Sequence, residues 1–142
     1  MIKTYVIDEL KRTIAPEEAE KYPSVVIGDD SINGIEFEFP NVFEHFDLYN
    51  GVKHIIYIKP DGEKKVKLLT ETSEETGRYL WRFDDGINHG DPGVISFAMM
   101  IDKVDDEGTI LKTWVSLPAS FNAEKSLGDE RRDDADEEEI YS

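Results

Sequence analysis

The sequence predicts an all-β protein, an antiparallel sandwich or barrel. Apolar residues recur with a period of two from about Val25 to Phe121, and turn signals interrupt the chain at short intervals. No helical period of comparable strength runs between them. With 142 residues, 39% hydrophobic and 11% aromatic, the chain has material for one core in one domain.

The elements follow in order. Ile35, Phe37 and Phe39 alternate with Glu36 and Glu38, a half-buried strand stopped by Pro40. His54 to Lys59 is β-branched and aromatic, and Pro60-Asp61-Gly62 is a turn in which Pro presets φ and Gly supplies a positive one. Val66 and Leu68 then alternate with lysines and complete a hairpin. Tyr79, Trp81 and Phe83 form the inward set of the next strand. The stretch Arg82 to Gly93 reads as a long hairpin loop to the strand beside it. There Ile95, Phe97, Met99 and Ile101 make one face, while Val94, Ser96, Ala98 and Met100 make a second, fairly apolar face, as in a central strand. Asp105 to Gly108 is a turn, and Thr109 to Ser116 a closing strand that ends near Pro118.

The ends differ from this core. Residues 1–24 are expected to form an arm that either starts the sheet or lies on a neighbour. It carries Tyr5, Ile7, Leu10 and Ile14, and a helix-like stretch from Ala15 to Tyr22 with Pro16 in its first turn. Residues 25–127 form the β domain. Residues 128–142, with eight acidic and two basic residues, read as a solvating acidic tail that ends in Ile140 and Tyr141.

The net charge of −16, with a pI near 4.4, argues against nucleic acid and against anionic membranes as partners. Without cysteine there is no disulfide, no thiolate metal site and no cysteine nucleophile. The first residues lack the apolar core of a signal peptide, and no run has transmembrane length, so a soluble protein used without export is expected.

Two clusters hold metal-ligating residue types. Asp84, Asp85, Asn88, His89 and Asp91 supply oxygen and nitrogen donors, but not at the alternate positions of a calcium loop. Glu44, His45, Asp47 and His54 match no zinc spacing. Loop polarity accounts for both. Ser96 has no nucleophile elbow around it, and there is no phosphate-binding glycine motif. No catalytic residue, metal or cofactor is therefore expected. Trp81 and Trp114 fit the core; Tyr57 and Tyr79 fit either the core or an exposed sugar-stacking platform.

From Ile35 to Leu127 the pattern resembles the N-terminal β-sandwich domain of phage tail and baseplate proteins, a family that includes upper baseplate proteins of siphophages infecting Gram-positive bacteria. The resemblance is carried by the hairpin at Tyr57 to Gly62, the strand containing Phe97, and the closing run of Lys112, Thr113, Trp114, Leu117, Pro118, Ala119 and Phe121. It implies a non-catalytic, Ig-like sandwich that docks in a tail or baseplate and holds fibre or receptor-binding components. Family domains usually continue into a linker and further modules; this sequence does not, so a small stand-alone adaptor is expected.

The leading expectation is thus a virion structural protein, assembled in the host cytoplasm as a homo-oligomer with other tail, baseplate or fibre proteins. Its expected contacts are Tyr5, Ile7, Leu10, Ile14, Ile140 and Tyr141. A carbohydrate-binding module is the alternative. An enzyme using the carboxylates of Asp84 to Asp91 and an acidic mimic of DNA are weaker readings.

Overall fold

The computed structural model describes residues 2–17, 24–28, 34–74 and 77–125, which form ten strands and one short helix. The strands are β1 (Ile2–Asp8), β2 (Thr13–Pro16), β3 (Ser24–Val26), β4 (Gly34–Glu38), β5 (Val52–Ile58), β6 (Lys64–Leu69), β7 (Arg78–Arg82), β8 (Gly93–Val104), β9 (Ile110–Val115) and β10 (Ala119–Glu124). Helix α1 (Asp85–Asn88) lies between β7 and β8.

Two sheets result. The smaller runs β2-β1-β4-β7; the larger runs β3-β10-β8-β5-β6, with β9 also paired to β8. β9 and β10 both run antiparallel to β8 and occupy successive parts of it. Between them the chain bulges. Ser116 donates its N–H to the Met99 carbonyl and accepts the Met99 N–H on its hydroxyl, while the Leu117 N–H turns to the Arg12 carbonyl of the smaller sheet's hairpin. On the opposite side Leu80 donates to the Glu71 carbonyl, so the segment after β6 stitches the two sheets there too.

The inward faces agree with the alternation. Ile35, Phe37, Trp81, Tyr5 and Ile7 meet Ile55, Tyr57, Ile95, Phe97, Met99 and Ile101 in one core. Phe97 is central to it beside Trp81, with ring centroids 5.5 Å from Trp81, 5.6 Å from Tyr5, 5.9 Å from Phe121 and 6.1 Å from Phe37. Tilted and edge-on rings at these separations add to the ~1.5–3 kcal/mol that burying each such side chain contributes. The turns are those expected: Gly62 and Gly108 adopt φ of 89° and 82°, and Asp105 Oδ1 accepts from the N–H groups of Glu107 and Thr109.

The structure refines three expectations. Both sheets are mixed, since β1–β4 and β3–β10 pair in parallel. A period of two says which residues share a face, not which way the neighbouring strand runs. Second, Arg82 to Gly93 is not a hairpin loop: β7 and β8 belong to different sheets, and the connection crosses from one layer to the other through α1, burying Ile87. Third, the first residues start the sheet, as β1 and β2. Ala15 and Pro16 close edge strand β2 instead of opening a helix, a position where proline's missing N–H costs little. The remainder of that stretch from Glu18, and the acidic tail, lie outside the described residues.

Candidate docking surface

The polar clusters sit in different connections of the fold, Asp84 to Asp91 between β7 and β8 and Glu44 to Asp47 after β4. Asp84 accepts the Tyr57 hydroxyl at 2.9 Å, and burial together with that bond raises the Tyr57 pKa. His89 and Asp91 are exposed just after α1, and the Asn88 carbonyl accepts the Gly28 N–H, tying β3 to the crossing. His45 and Glu44 sit in the loop after β4, whereas His54 lies on the outer side of β5. Among the described residues no three His, Asp or Glu side chains come together to hold a metal, and no helix is long and apolar enough to cross a membrane. Tyr57 is buried and Tyr79 half-buried within the aromatic core, so the sugar-stacking platform is absent at these residues.

The expected contact residues divide. Tyr5, Ile7 and Ile14 are buried in this chain's own core, because β1 and β2 point them between the sheets. They are not available to a neighbour. Leu10, 55% exposed in the β1–β2 turn, is. Ile140 and Tyr141 lie outside the described residues.

Lys53 is the one buried cation among the described residues, 2% exposed. Its ammonium donates to the carbonyls of Tyr49 and Gly51 and faces the rings of Tyr79, Phe39 and Tyr49 at 4.0, 5.0 and 5.4 Å. Burial lowers its pKa to about 8, against a smaller opposing pull from Asp47. A lowered lysine would suit a nucleophile, but every proton of this one points at the chain itself or its rings. It plugs the end of the sandwich.

The outward faces of the two sheets differ in kind. On the smaller sheet Glu36 accepts from Thr4 (2.6 Å), Ser73 (2.5 Å) and Arg78 (2.7 Å), a closed polar network. On the larger sheet the register lines up three rows across the strands. One is Leu68, His54, Met100, Val115; the next is Val66, Ile56, Ala98; the third is Lys64, Ile58, Ser96, Ser120. Lys64 is the single formal charge in these rows, in a chain that is 34% charged. Val66 is 58% and Leu68 50% exposed. At ~4.8 Å between strands and ~3.4 Å per residue, the face covers on the order of 400 Å². Apolar patches of that extent, rimmed by polar residues, are features of interaction sites. Within it, His54 Nδ1 is buried without a hydrogen-bond partner among the described residues.

The sequence carried a signal for this face that periodicity alone did not separate from the core. The apolar second face of β8 reads as the mark of a central strand. β8 is central, but a two-layer sandwich covers only one side of each sheet, so the second face is left open.

No protein-family model matches the chain, and no curated protein matches it. Among solved structures the fold is similar to the N-terminal domain of phage TP901-1 ORF48, with a TM-score of 0.54 at 11% sequence identity, over 87% of this chain and 97% of that one. At that identity the likeness is one of fold, and it agrees with the fold expected from the sequence resemblance.

Proposed function

We propose that this chain is a non-catalytic structural protein of a phage particle, a tail, baseplate or fibre-anchoring adaptor that works through protein–protein contacts. The observation that carries the proposal is the nearly uncharged, apolar outer face of the larger sheet, on a fold shared with a phage protein's N-terminal domain. Covering the apolar part of this face contributes roughly 25 cal/mol per Å² before the costs of association, a driving force for docking when the partner is complementary. The lysines of edge strand β6 discourage strand-by-strand aggregation and leave the face itself as the contact. Assembly would take place in the host cytoplasm.

The test is mass spectrometry of gradient-purified particles from cells in which the chain is made. The expected result is the chain in the particle fraction in a fixed ratio to other virion proteins, cross-linked through Lys64 to one of them. Absence from particles, with the chain left wholly in the supernatant, contradicts the proposal.

A further inference from the structure

Lys103 of β8 and Lys112 of β9 are direct cross-strand partners. Both are exposed, and neither has a hydrogen-bond or ion-pair partner among the described residues. Like charges directly opposite each other are unfavourable in a sheet, and a chain with 32 acidic residues has no shortage of counter-charges to place there. The pair lies on the same side of the sheet as buried Ile101 and Trp114, one step past the end of the core. There it faces the loop that follows β4, across a cleft of about 340 Å³ lined also by Phe43, His45, Phe46 and Val104. An adjoining cleft of about 490 Å³ shares His45, Phe46 and Lys112 and adds Leu10 and Arg12.

The carboxylates in these walls are already engaged. Glu9 accepts the backbone N–H groups of Glu44, His45 and Phe46, and Asp47 accepts from the backbone and side chain of Asn50. What the cleft offers to a ligand is therefore cationic and apolar: Lys103, Lys112 and Arg12, without a carboxylate partner among the described residues, beside Leu10 and a Phe43 that is 52% exposed.

We infer that this cleft binds the acidic segment Asp133 to Tyr141 of a second copy of the chain. That segment has six carboxylates followed by Ile140 and Tyr141, the complement of cations bordered by apolar side chains. Reach argues for a second copy. β10 ends beside Gly93, at the other end of the 12-residue β8 from Lys103, which at ~3.4 Å per residue is about 34 Å away. From Lys125 to Asp133 an extended chain spans at most about 29 Å. Within one copy Asp133 and Asp134 fall short of the lysines even at full extension; between copies the whole segment, with all six carboxylates, reaches them. The contact is head-to-tail and does not use the outer face of the larger sheet, so the two proposals fail separately.

The experiment is sedimentation velocity on the full chain over a concentration series, at low salt and at about 0.5 M salt, where the Debye length falls to roughly 4 Å. Three forms are compared: the chain itself, K103E/K112E, and E137K/E138K/E139K. The double reversal keeps a like-charge pair in the hairpin, which leaves the fold's own electrostatics comparable. The expected result is association at low salt that is weakened roughly tenfold or more by salt and by either reversal, and is restored when the two reversed chains are mixed. A monomer throughout, or association that K103E/K112E leaves unchanged, overturns the inference. Association that survives 0.5 M salt does so as well, since it would be apolar in origin.

Discussion

The ammonium of Lys53 stands 4.0 Å from the centre of the Tyr79 ring, across the space between the two sheets. Three rings and two carbonyls hold a charge where a sandwich would ordinarily place a methyl group. The cost of removing that ammonium from water shows in its depressed pKa of about 8.

The pH dependence follows from the sign of that shift. Between about 8 and the ordinary lysine value of 10.5 the unfolded chain binds a proton that the folded chain does not. Stability contributed by this residue therefore rises with pH across that window. Lys53→Met keeps most of the packing and removes the titration. The stability of the parent minus that of the variant, from urea unfolding followed by tryptophan fluorescence, is expected to climb between pH 8 and 10.5. A flat difference contradicts the assignment. Lys53→Ala leaves a hole among the three rings and is expected to cost about 2–4 kcal/mol at pH 7.

Glu9 anchors the loop after β4 to the first hairpin through three backbone N–H groups at 2.8, 2.9 and 3.2 Å. Charge-assisted bonds of this kind are the stronger ones. Glu9→Gln is expected to speed hydrogen exchange at the amides of Glu44, His45 and Phe46 by roughly tenfold while leaving β8 amides unchanged. Uniform acceleration across the chain would mean that the contact acts on global stability instead.

Glu36 has a pH signature of the same sign as Lys53, with stability rising with pH, but in a window at and below 4.5. Burial raises its pKa, but hydrogen bonds from Ser73 and Thr4 and the charge of Arg78 outweigh burial and leave it below the ordinary value. Its contribution is present above the unfolded value near 4.5 and is lost as the pH falls through the lower folded one. Glu36→Gln is expected to cost about 1–2 kcal/mol at pH 7, and the cost shrinks as the pH falls below 4.5. The check is the same unfolding experiment repeated from pH 3 to 7. A cost independent of pH would place the effect in packing and not in the charge.

Much of the fold is legible in the chain. Ile35, Phe37 and Phe39, or Ile95 through Ile101, declare their buried side by alternation, and Pro60-Asp61-Gly62 declares its turn by chemistry. Which layer a strand joins is not written locally. β7 and β8 adjoin in sequence and sit in different sheets, because α1 carries the chain across. β3 is too short, and β10 too weakly apolar outside Phe121 and Ala123, to show a period. The apolar outer face and the Lys53 cage are products of register: Met100 and Val115 line up with Leu68 and His54, and Phe39, Tyr49 and Tyr79 meet Lys53, only after three or more segments pair. No spacing in the sequence encodes either.

The outer face of the larger sheet carries the central claim, and the absence of cysteine makes it directly measurable. Val66→Cys places a unique thiol in the middle of the face, and Ala15→Cys places one on exposed edge strand β2 of the smaller sheet. Each variant is assembled into phage particles, and its rate of maleimide labelling is compared with that of the free chain. The V66C thiol is expected to label freely in isolation and roughly tenfold or more slowly in particles, as at the core of an interface, while the A15C thiol is little changed. Equal labelling of V66C in particles and in isolation would contradict the claim.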